Sequence, residues 1–167
     1  MASFDEHIAH ATSNLDYLSK INTHINDRWD WQVTTCFYTA LHLMNAHIAK
    51  KANKNYLSHT RVDQALNPYG LSVAKIDEDT YSSYNSLSNL SRRSRYLLTE
   101  NRSQVDNEVD IQRQCLTYSK HFKKAIHHLD KILAFFNKEY GADFGKTVLK
   151  CIDLNGLLFE NFTIQNV

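Results

Sequence analysis

Glycine and proline are scarce in this chain of 167 residues, which contains only four glycines and one proline. Both residues interrupt regular structure, so their scarcity disfavours a turn-rich β protein and favours a few long helices. The chain also lacks an excess of charge of either sign, because 19 basic and 18 acidic residues leave a net charge of +1. No global field therefore drives the protein onto nucleic acid or membrane, and any anion site must be a local patch.

Cysteines are few, and long apolar runs are missing. Cys36, Cys115 and Cys151 are far apart and show no metal-ligand spacing, which predicts reduced thiols in a cytoplasmic protein. No stretch approaches the roughly 18 apolar residues of a membrane helix, and the N-terminus lacks the pattern of a signal peptide. There is also no glycine-rich phosphate loop. We therefore predict no membrane association, no metal site and no cofactor.

Amphipathic periodicity accounts for most of the chain. Ser3 and Glu6 have the spacing of a capping box, and they precede an apolar stripe at Phe4, Ile8, Ala11, Leu15 and Leu18. The second helix, over about 27–52, carries two nonpolar stripes on opposite faces, and the second stripe includes Trp31, Tyr38, His42 and Ala46. Two nonpolar faces predict a central helix that is buried on two sides.

The remaining segments complete the predicted fold. A short helix should follow Ser58, a fourth helix should run from about Asp77 to about Glu100, and a fifth should run from about Val105 to Gly141. The last segment contains β-branched residues around "NG" at 155–156, which is a hairpin signal. We predict an all-α protein: an antiparallel four-to-five-helix up-down bundle over residues 1–140, with a short C-terminal β-hairpin or irregular tail over 141–167.

The stretch "SLSNLSRRSRYLL" combines small serines with a tight cluster of arginines at 92, 93 and 95, followed by Tyr96. On a helix, Arg92 and Arg95 share a face, with Arg95 at the edge of the core stripe and Arg93 pointing further out. Guanidinium groups suit phosphate oxygens, so this face is a candidate anion site. The alternative is a solvated basic face that pairs with acidic residues.

Histidines provide the candidates for proton transfer. "SHTR" places His59 and Arg61 at the start of the short helix, where a helix N-terminus also favours an anion. His42 lies one turn from Tyr38 on the second stripe of the central helix. Taken alone, His59 could be an ordinary surface histidine and His42 an ordinary buried one.

The order of these motifs resembles prokaryotic HEPN-domain proteins. The pieces are "FYTALH" with Tyr38 and His42, then "SHTR", then the arginine-rich end of the fourth helix. This resemblance spans roughly residues 5 to 140. It implies an antiparallel helical bundle, commonly dimeric, that is associated with RNA cleavage or nucleotide binding in toxin–antitoxin and phage-defence systems.

The ribonuclease members of that family carry an arginine, four to six residues, and then a histidine on a late helix. The nearest pair here, Arg113 and His121, is separated by seven residues, so this sequence departs from the motif. The resemblance implies an RNA or nucleotide site in which Arg61, Arg92 and Arg95 hold phosphate. In the same site Tyr38 or Tyr96 would contact the ligand, and His42 or His59 would move protons.

Two other functions remain open at this point. One is a non-catalytic dimeric interaction bundle, in which the arginines form structural ion pairs and the second stripe of the central helix is the dimer contact. The other is a ligand-sensing regulatory bundle. The toxin interpretation includes an antitoxin partner. A homodimer is expected both for a HEPN-like protein and for the interaction bundle.

Overall fold

The computed structural model describes residues 2–25, 27–96, 98–102, 109–113 and 116–166. The described chain is mostly helical, as the sequence predicted. Its helices are α1 (Phe4–His24), α2 (Trp29–Ala52), α3 (His59–Leu66), α4 (Glu78–Arg95) and α5 (Ser119–Tyr140). Its strands are β1 (Leu98–Arg102), β2 (Val109–Arg113), β3 (Thr147–Lys150) and β4 (Phe162–Gln165).

Helix α1 forms as its sequence predicted. The Ser3 hydroxyl accepts a hydrogen bond from the Glu6 backbone N–H at 3.2 Å, and the Ser3 backbone N–H donates to the Glu6 carboxylate at 2.7 Å. This confirms the capping box, which satisfies two N–H groups that the helix leaves unpaired. The stripe at Ala11, Leu15 and Leu18 is buried against α2.

Helix α2 is the centre of the molecule, because it packs against α1, α3, α4 and α5. One of its faces contributes Val33, Phe37 and Met44 to the core. The second stripe is only partly covered. Ala46 is fully buried, whereas Trp31 and Tyr38 remain 57% and 36% exposed.

The fourth helix is shorter than predicted. Its N-terminal cap is Asp77, whose carboxylate accepts a hydrogen bond from the Thr80 N–H at 2.9 Å, but the helix ends at Arg95 instead of Glu100. Residues 98–102 and 109–113 form an antiparallel strand pair, with Leu98 opposite Arg113 and Arg102 opposite Val109. The sequence "VDIQ" alternates apolar and polar residues, which suits a strand, and tertiary pairing overrides its helical interpretation.

The fifth helix therefore begins later than predicted, at Ser119 instead of about Val105. From Phe122 onward its apolar stripe is buried as expected, and it ends at Gly141, whose φ of 63° lies in the left-handed region. Cys36 and Cys151 are buried free thiols, and burial raises the pKa of both. Cys115 lies outside the described residues.

The predicted C-terminal hairpin is wrong in its topology. Strands β3 and β4 pair in parallel, with Thr147 opposite Phe162 and Lys150 opposite Gln165. The "NG" sequence does form a turn, with Gly156 at a φ of 76°. That turn follows a short 3-10 segment at Ile152–Leu154 instead of joining two antiparallel strands. The connection is thus long enough to bring the second strand back in the same direction.

The C-terminal segment is joined to the helices by packing and hydrogen bonds. Leu149, Leu154 and Phe162 are buried in the same apolar cluster as the helical core. The Ser19 hydroxyl of α1 donates to the Val148 carbonyl at 2.8 Å. No helix in the described ranges is long and apolar enough to cross a membrane.

Helix α4 contains a buried hydroxyl without a partner among the described residues, which gives a stability prediction. Ser91 is fully buried, and its Oγ makes no hydrogen bond to this part of the chain. A buried hydroxyl in this state costs free energy that an alanine would not. We expect Ser91→Ala to raise the free energy of unfolding by about 1 kcal/mol in urea denaturation.

The control for this prediction is Ser94→Ala on the same helix. Ser94 Oγ donates to the Leu90 carbonyl at 2.9 Å and accepts from Thr117 at 3.2 Å. Its replacement should leave stability unchanged or lower it. A destabilised Ser91→Ala protein would show that the hydroxyl is satisfied in solution.

Candidate functional site

An open groove of about 780 Å³ lies between α3 and α4, beside Phe37 of α2. It brings together four of the residues that the sequence nominated: His59, Arg92, Arg95 and Tyr96. The remaining lining is aromatic or polar and consists of Phe37, Thr60, Asp63, Tyr84, Asn85, Ser88 and Asn89. This combination of aromatic faces, amide groups and cations is typical of sites that bind nucleotides.

Arg92 and Arg95 are exposed on the wall that α4 contributes. Neither guanidinium group has a carboxylate partner within the described part of the chain. The Arg95 guanidinium carbon lies 5.5 Å from the ring centroid of Tyr96 and 6.0 Å from that of Tyr38. These cation–π contacts orient the side chain while leaving donors available to a ligand. Tyr38 is not part of the groove lining, but it contacts Arg95, which is.

His59 lies in the same groove, at the first position of α3. Its ring centroid is 5.4 Å from that of Phe37. Partial burial, with a smaller contribution from the Arg95 charge, lowers the pKa of His59 below its ordinary value. The ring is therefore neutral at pH 7 and able to accept a proton from a bound ligand.

The third arginine of the cluster lies elsewhere. Arg93, which the helical wheel placed further out than Arg95, is the more buried of the two, and its Nε is buried without a partner among the described residues. It faces the start of α5, where burial lowers the pKa of His121 and the charge of Arg93 lowers it further. The helical wheel failed here because it was centred on the core stripe of the fourth helix alone, whereas α4 packs against both α2 and α5.

Arg61 does not line the same groove. It belongs to a neighbouring open groove of about 590 Å³, beside Lys54, Tyr56 and Gln64. Arg61 and His59 are two residues apart at the start of α3, so their side chains leave the helix in different directions. The prediction that both residues hold one ligand is thus not supported by their positions.

His42 lies apart from the groove, between α1 and α2. Its Nδ1 is 3.4 Å from the Nδ1 of His7, and the ring of His10 stacks on it with centroids 4.0 Å apart. Asn55 accepts a hydrogen bond from His7 at 2.6 Å. Burial, followed by the nearby His10 and His7, lowers the pKa of His42 to about 4. His42 therefore cannot exchange protons with a ligand that Arg92 holds.

Sequence reasoning missed several polar residues of the groove. Asn85, Ser88, Asn89 and Arg92 follow one another at helical spacings that put them on one face of α4. This periodicity was available in the sequence and would have extended the site toward the N-terminus of the helix. Asp63 gives no such signal. It accepts a hydrogen bond from the Tyr81 hydroxyl at 2.9 Å, which fixes it at the groove wall.

Within the described residues, no group of three or more His, Cys, Asp or Glu side chains is arranged to hold a metal ion. The chain matches no model of a protein family, no curated protein and no solved structure. What this protein binds must therefore be inferred from the groove itself.

Proposed function

We propose that this protein binds RNA or a nucleotide through the groove between α3 and α4. The observation that carries the proposal is the convergence of Arg92 and Arg95, a neutral histidine and aromatic rings on one open surface. The two arginines would hold phosphate oxygens. Tyr96 would stack on a base, and Asn85 and Asn89 would donate to or accept from its edge.

If the bound RNA is cleaved, His59 is the residue that would accept the proton of the attacking 2′-hydroxyl. The 2′-oxygen would bond to the adjacent phosphorus as the bond from phosphorus to the 5′-oxygen breaks, and the leaving 5′-oxygen would take a proton from water. The lowered pKa of His59 keeps its ring neutral for accepting the proton, and Arg95 beside it would stabilise the charge that develops on the phosphate. This assignment defines a metal-independent ribonuclease without the Arg-x4-6-His motif. His42, which lies in the histidine cluster with His7 and His10, has no part in it.

The proposal keeps the HEPN-like character that the sequence resemblance suggested. It includes an antiparallel up-down order of the helices, a homodimer, a cytoplasmic location and a role as a toxin or phage-defence protein with an antitoxin partner. Each of these is a separate part of the hypothesis, distinct from RNA binding itself.

The test is the double variant Arg92→Ala/Arg95→Ala, with a single-stranded RNA oligonucleotide in a fluorescence anisotropy titration. We expect affinity to fall about tenfold or more, because two charge-assisted contacts are lost. The slope of log affinity against log salt should also decrease by about 1.4, since two fewer counterions are released from a single strand.

The matched control is Lys138→Ala/Lys146→Ala, which removes the same net charge from exposed positions outside the groove. It should reduce affinity only slightly. Both variants should melt close to the wild-type temperature, because exposed arginines without ion-pair partners contribute little to stability. Equal losses of affinity in the two variants would reject the groove as the RNA site.

The alternative function, a non-catalytic dimeric bundle, is favoured by one observation. Trp31 and Tyr38 lie two turns apart on one face of α2 and remain 57% and 36% exposed. We expect light scattering at micromolar concentration to show a dimer, and Trp31→Arg to shift it toward monomer, because a charge would be buried without a partner. A monomeric wild-type protein would remove the dimer from both functions. A ligand-sensing bundle would bind a nucleotide in the groove without cleaving RNA.

A further inference from the structure

A third, smaller groove of about 310 Å³ lies on α5, where the C-terminal segment crosses it. It shares no residue with the groove between α3 and α4. Lys123, Lys124, His127 and His128 of α5 form one wall, and Leu157, Leu158 and Phe159 form the other. The two walls thus differ completely in chemistry.

The basic wall has no acidic residue facing it in the described lining of the groove. Lys123 and Lys124 make no ion pair with any described residue. Burial lowers the pKa of His128, and the nearby His127, Lys131 and Lys124 make smaller contributions in the same direction. An anion placed here would therefore meet positive potential that no acidic side chain of the lining neutralises.

His128 adds a directional group to this wall. Its Nδ1 is buried without a hydrogen-bond partner among the described residues, and its ring stands at 70° to that of His127, with centroids 5.5 Å apart. His128 lines the groove although its Nδ1 is buried, which leaves Nε2 as the nitrogen for a ligand. In the tautomer that carries its proton on Nε2, this N–H is a hydrogen-bond donor that suits a carboxylate oxygen.

The apolar wall is held in place despite its exposure. Leu158 is 98% exposed, and it adjoins Leu157 and Phe159 in the lining, so the three form a contiguous apolar surface. Hydrogen bonds hold the C-terminal segment against α5. The Asp130 carboxylate accepts from the Glu160 N–H at 3.1 Å and from the Asn161 N–H at 2.8 Å. Asp130 thereby fixes the distance between the apolar and the basic wall.

From this geometry we infer that the groove on α5 binds a small organic anion with an apolar chain, such as a medium-chain carboxylate. The carboxylate would lie against Lys123, Lys124 and His128, and the chain would cover Leu157, Leu158 and Phe159. The groove is at the lower end of the size range of small-molecule sites, which combine apolar surface with a few polar groups in this way. The inference does not depend on RNA binding.

The experiment is a calorimetric titration of the full chain with decanoate below its micelle concentration. Decanol and acetate are titrated separately, because each retains only half of the proposed contacts. We expect saturable binding of decanoate and affinities about tenfold or more lower for the other two compounds. In a two-dimensional NMR spectrum of the wild-type protein, decanoate should shift the signals of His127, His128 and Leu158.

The charged variant is Lys123→Ala/Lys124→Ala, and its matched control is Lys138→Ala/Lys146→Ala, which removes the same charge from exposed positions outside the groove. We expect the first to lose about tenfold in decanoate affinity and the second to retain it. Leu158→Ser should weaken decanoate in the same way without affecting acetate.

Three results would overturn the inference: decanoate binding that does not saturate, NMR shifts that fall outside the groove, or equal losses of affinity in the two lysine pairs. A fourth result would replace it. If Leu158→Ser changed the oligomeric state and decanoate did not bind, the groove would be a contact between copies of the chain. The NMR titration uses the wild-type protein, so it accepts or rejects the groove as the binding site even if a variant fails to fold.

Discussion

Replacing Asn22 with leucine should lower the free energy of unfolding by about 3 kcal/mol or more. Asn22 is fully buried at the end of α1. Its Nδ2 donates to Gln32 Oε1 at 2.9 Å and to the Lys150 carbonyl at 3.1 Å, and its Oδ1 accepts from the Lys150 N–H at 2.6 Å. One side chain therefore joins α1, α2 and β3.

The size of this effect follows from what leucine leaves behind. The side chain volume is nearly retained, so the apolar packing changes little, but the N–H and carbonyl of Lys150 and the Gln32 amide oxygen lose these hydrogen bonds. A buried polar group without its partner costs about 1–3 kcal/mol. The losses are not fully additive, because β3 can shift toward water. Urea denaturation followed by far-ultraviolet circular dichroism measures the difference.

Asn14→Leu is the matched control, since Asn14 lies on the same helix and its side chain makes no hydrogen bond with the described residues. It should change stability by less than about 0.5 kcal/mol. If both variants lost the same stability, the hydrogen bonds of Asn22 would contribute nothing to the free energy of unfolding.

The second large effect is a loss of stability in acid, which His42 should dominate. The pKa of an unfolded histidine is about 6.5, whereas burial and the neighbouring His10 and His7 lower that of folded His42 to about 4. Between these values the unfolded chain binds more protons than the folded one, so the free energy of unfolding rises with pH. The stability present above pH 6.5 is therefore lost as the pH falls toward about 4.

After allowance for the partial exposure of the ring, this loss amounts to about 2 kcal/mol. His42→Gln, which cannot take up a proton, should lose correspondingly less stability over the same pH range. Burial lowers the pKa of His47, His59, His121 and His128 as well, so the variant should retain a smaller acid dependence.

The protonation of His42 can also be followed directly. An NMR titration of its ring should give a midpoint at about 4. Unfolding curves with the same acid dependence in His42→Gln and wild type, or a ring midpoint near the unfolded value, would contradict this prediction. The physical cause is local, since α1 and α2 hold the rings of His7, His10 and His42 against one another.

Long amphipathic stripes made α1 and α2 readable from the sequence, and the same holds for the second half of α5. Residues 98–113 were not readable in this way, because a short alternation such as that over 109–112 fits the start of a helical stripe as well as a strand. The pairing of Leu98 with Arg113 decides between the two, and that contact is not local. The direction of β4 likewise depends on the position of Asn161 just before it. The carboxylate of Asp130 on α5 fixes that position by accepting a hydrogen bond from the Asn161 N–H.

The residues of the candidate site likewise differ in whether a local pattern or the tertiary packing fixes their position. Arg92, Arg95 and Tyr96 were recognisable because they are neighbours in one short segment, and a local pattern fixes their relative directions. His42 was assigned to the same patch although it faces α1 instead. The rotation of α2 about its axis is set by four packing partners, and a helical wheel contains none of them.

The sequence by itself determined that this is a mostly helical protein with a central second helix and a local cluster of cations at the end of α4. Scarce glycine and proline, together with periodic apolar residues, suffice for that because they act over a few turns of chain. Only the tertiary structure decided that His59 joins the arginines while Arg61 and His42 do not. It also decided that the C-terminal segment lies against α5 and forms a separate groove there. Those outcomes depend on contacts between residues that are distant in the chain. Such contacts form together when the whole core packs, so no single segment of the sequence specifies them.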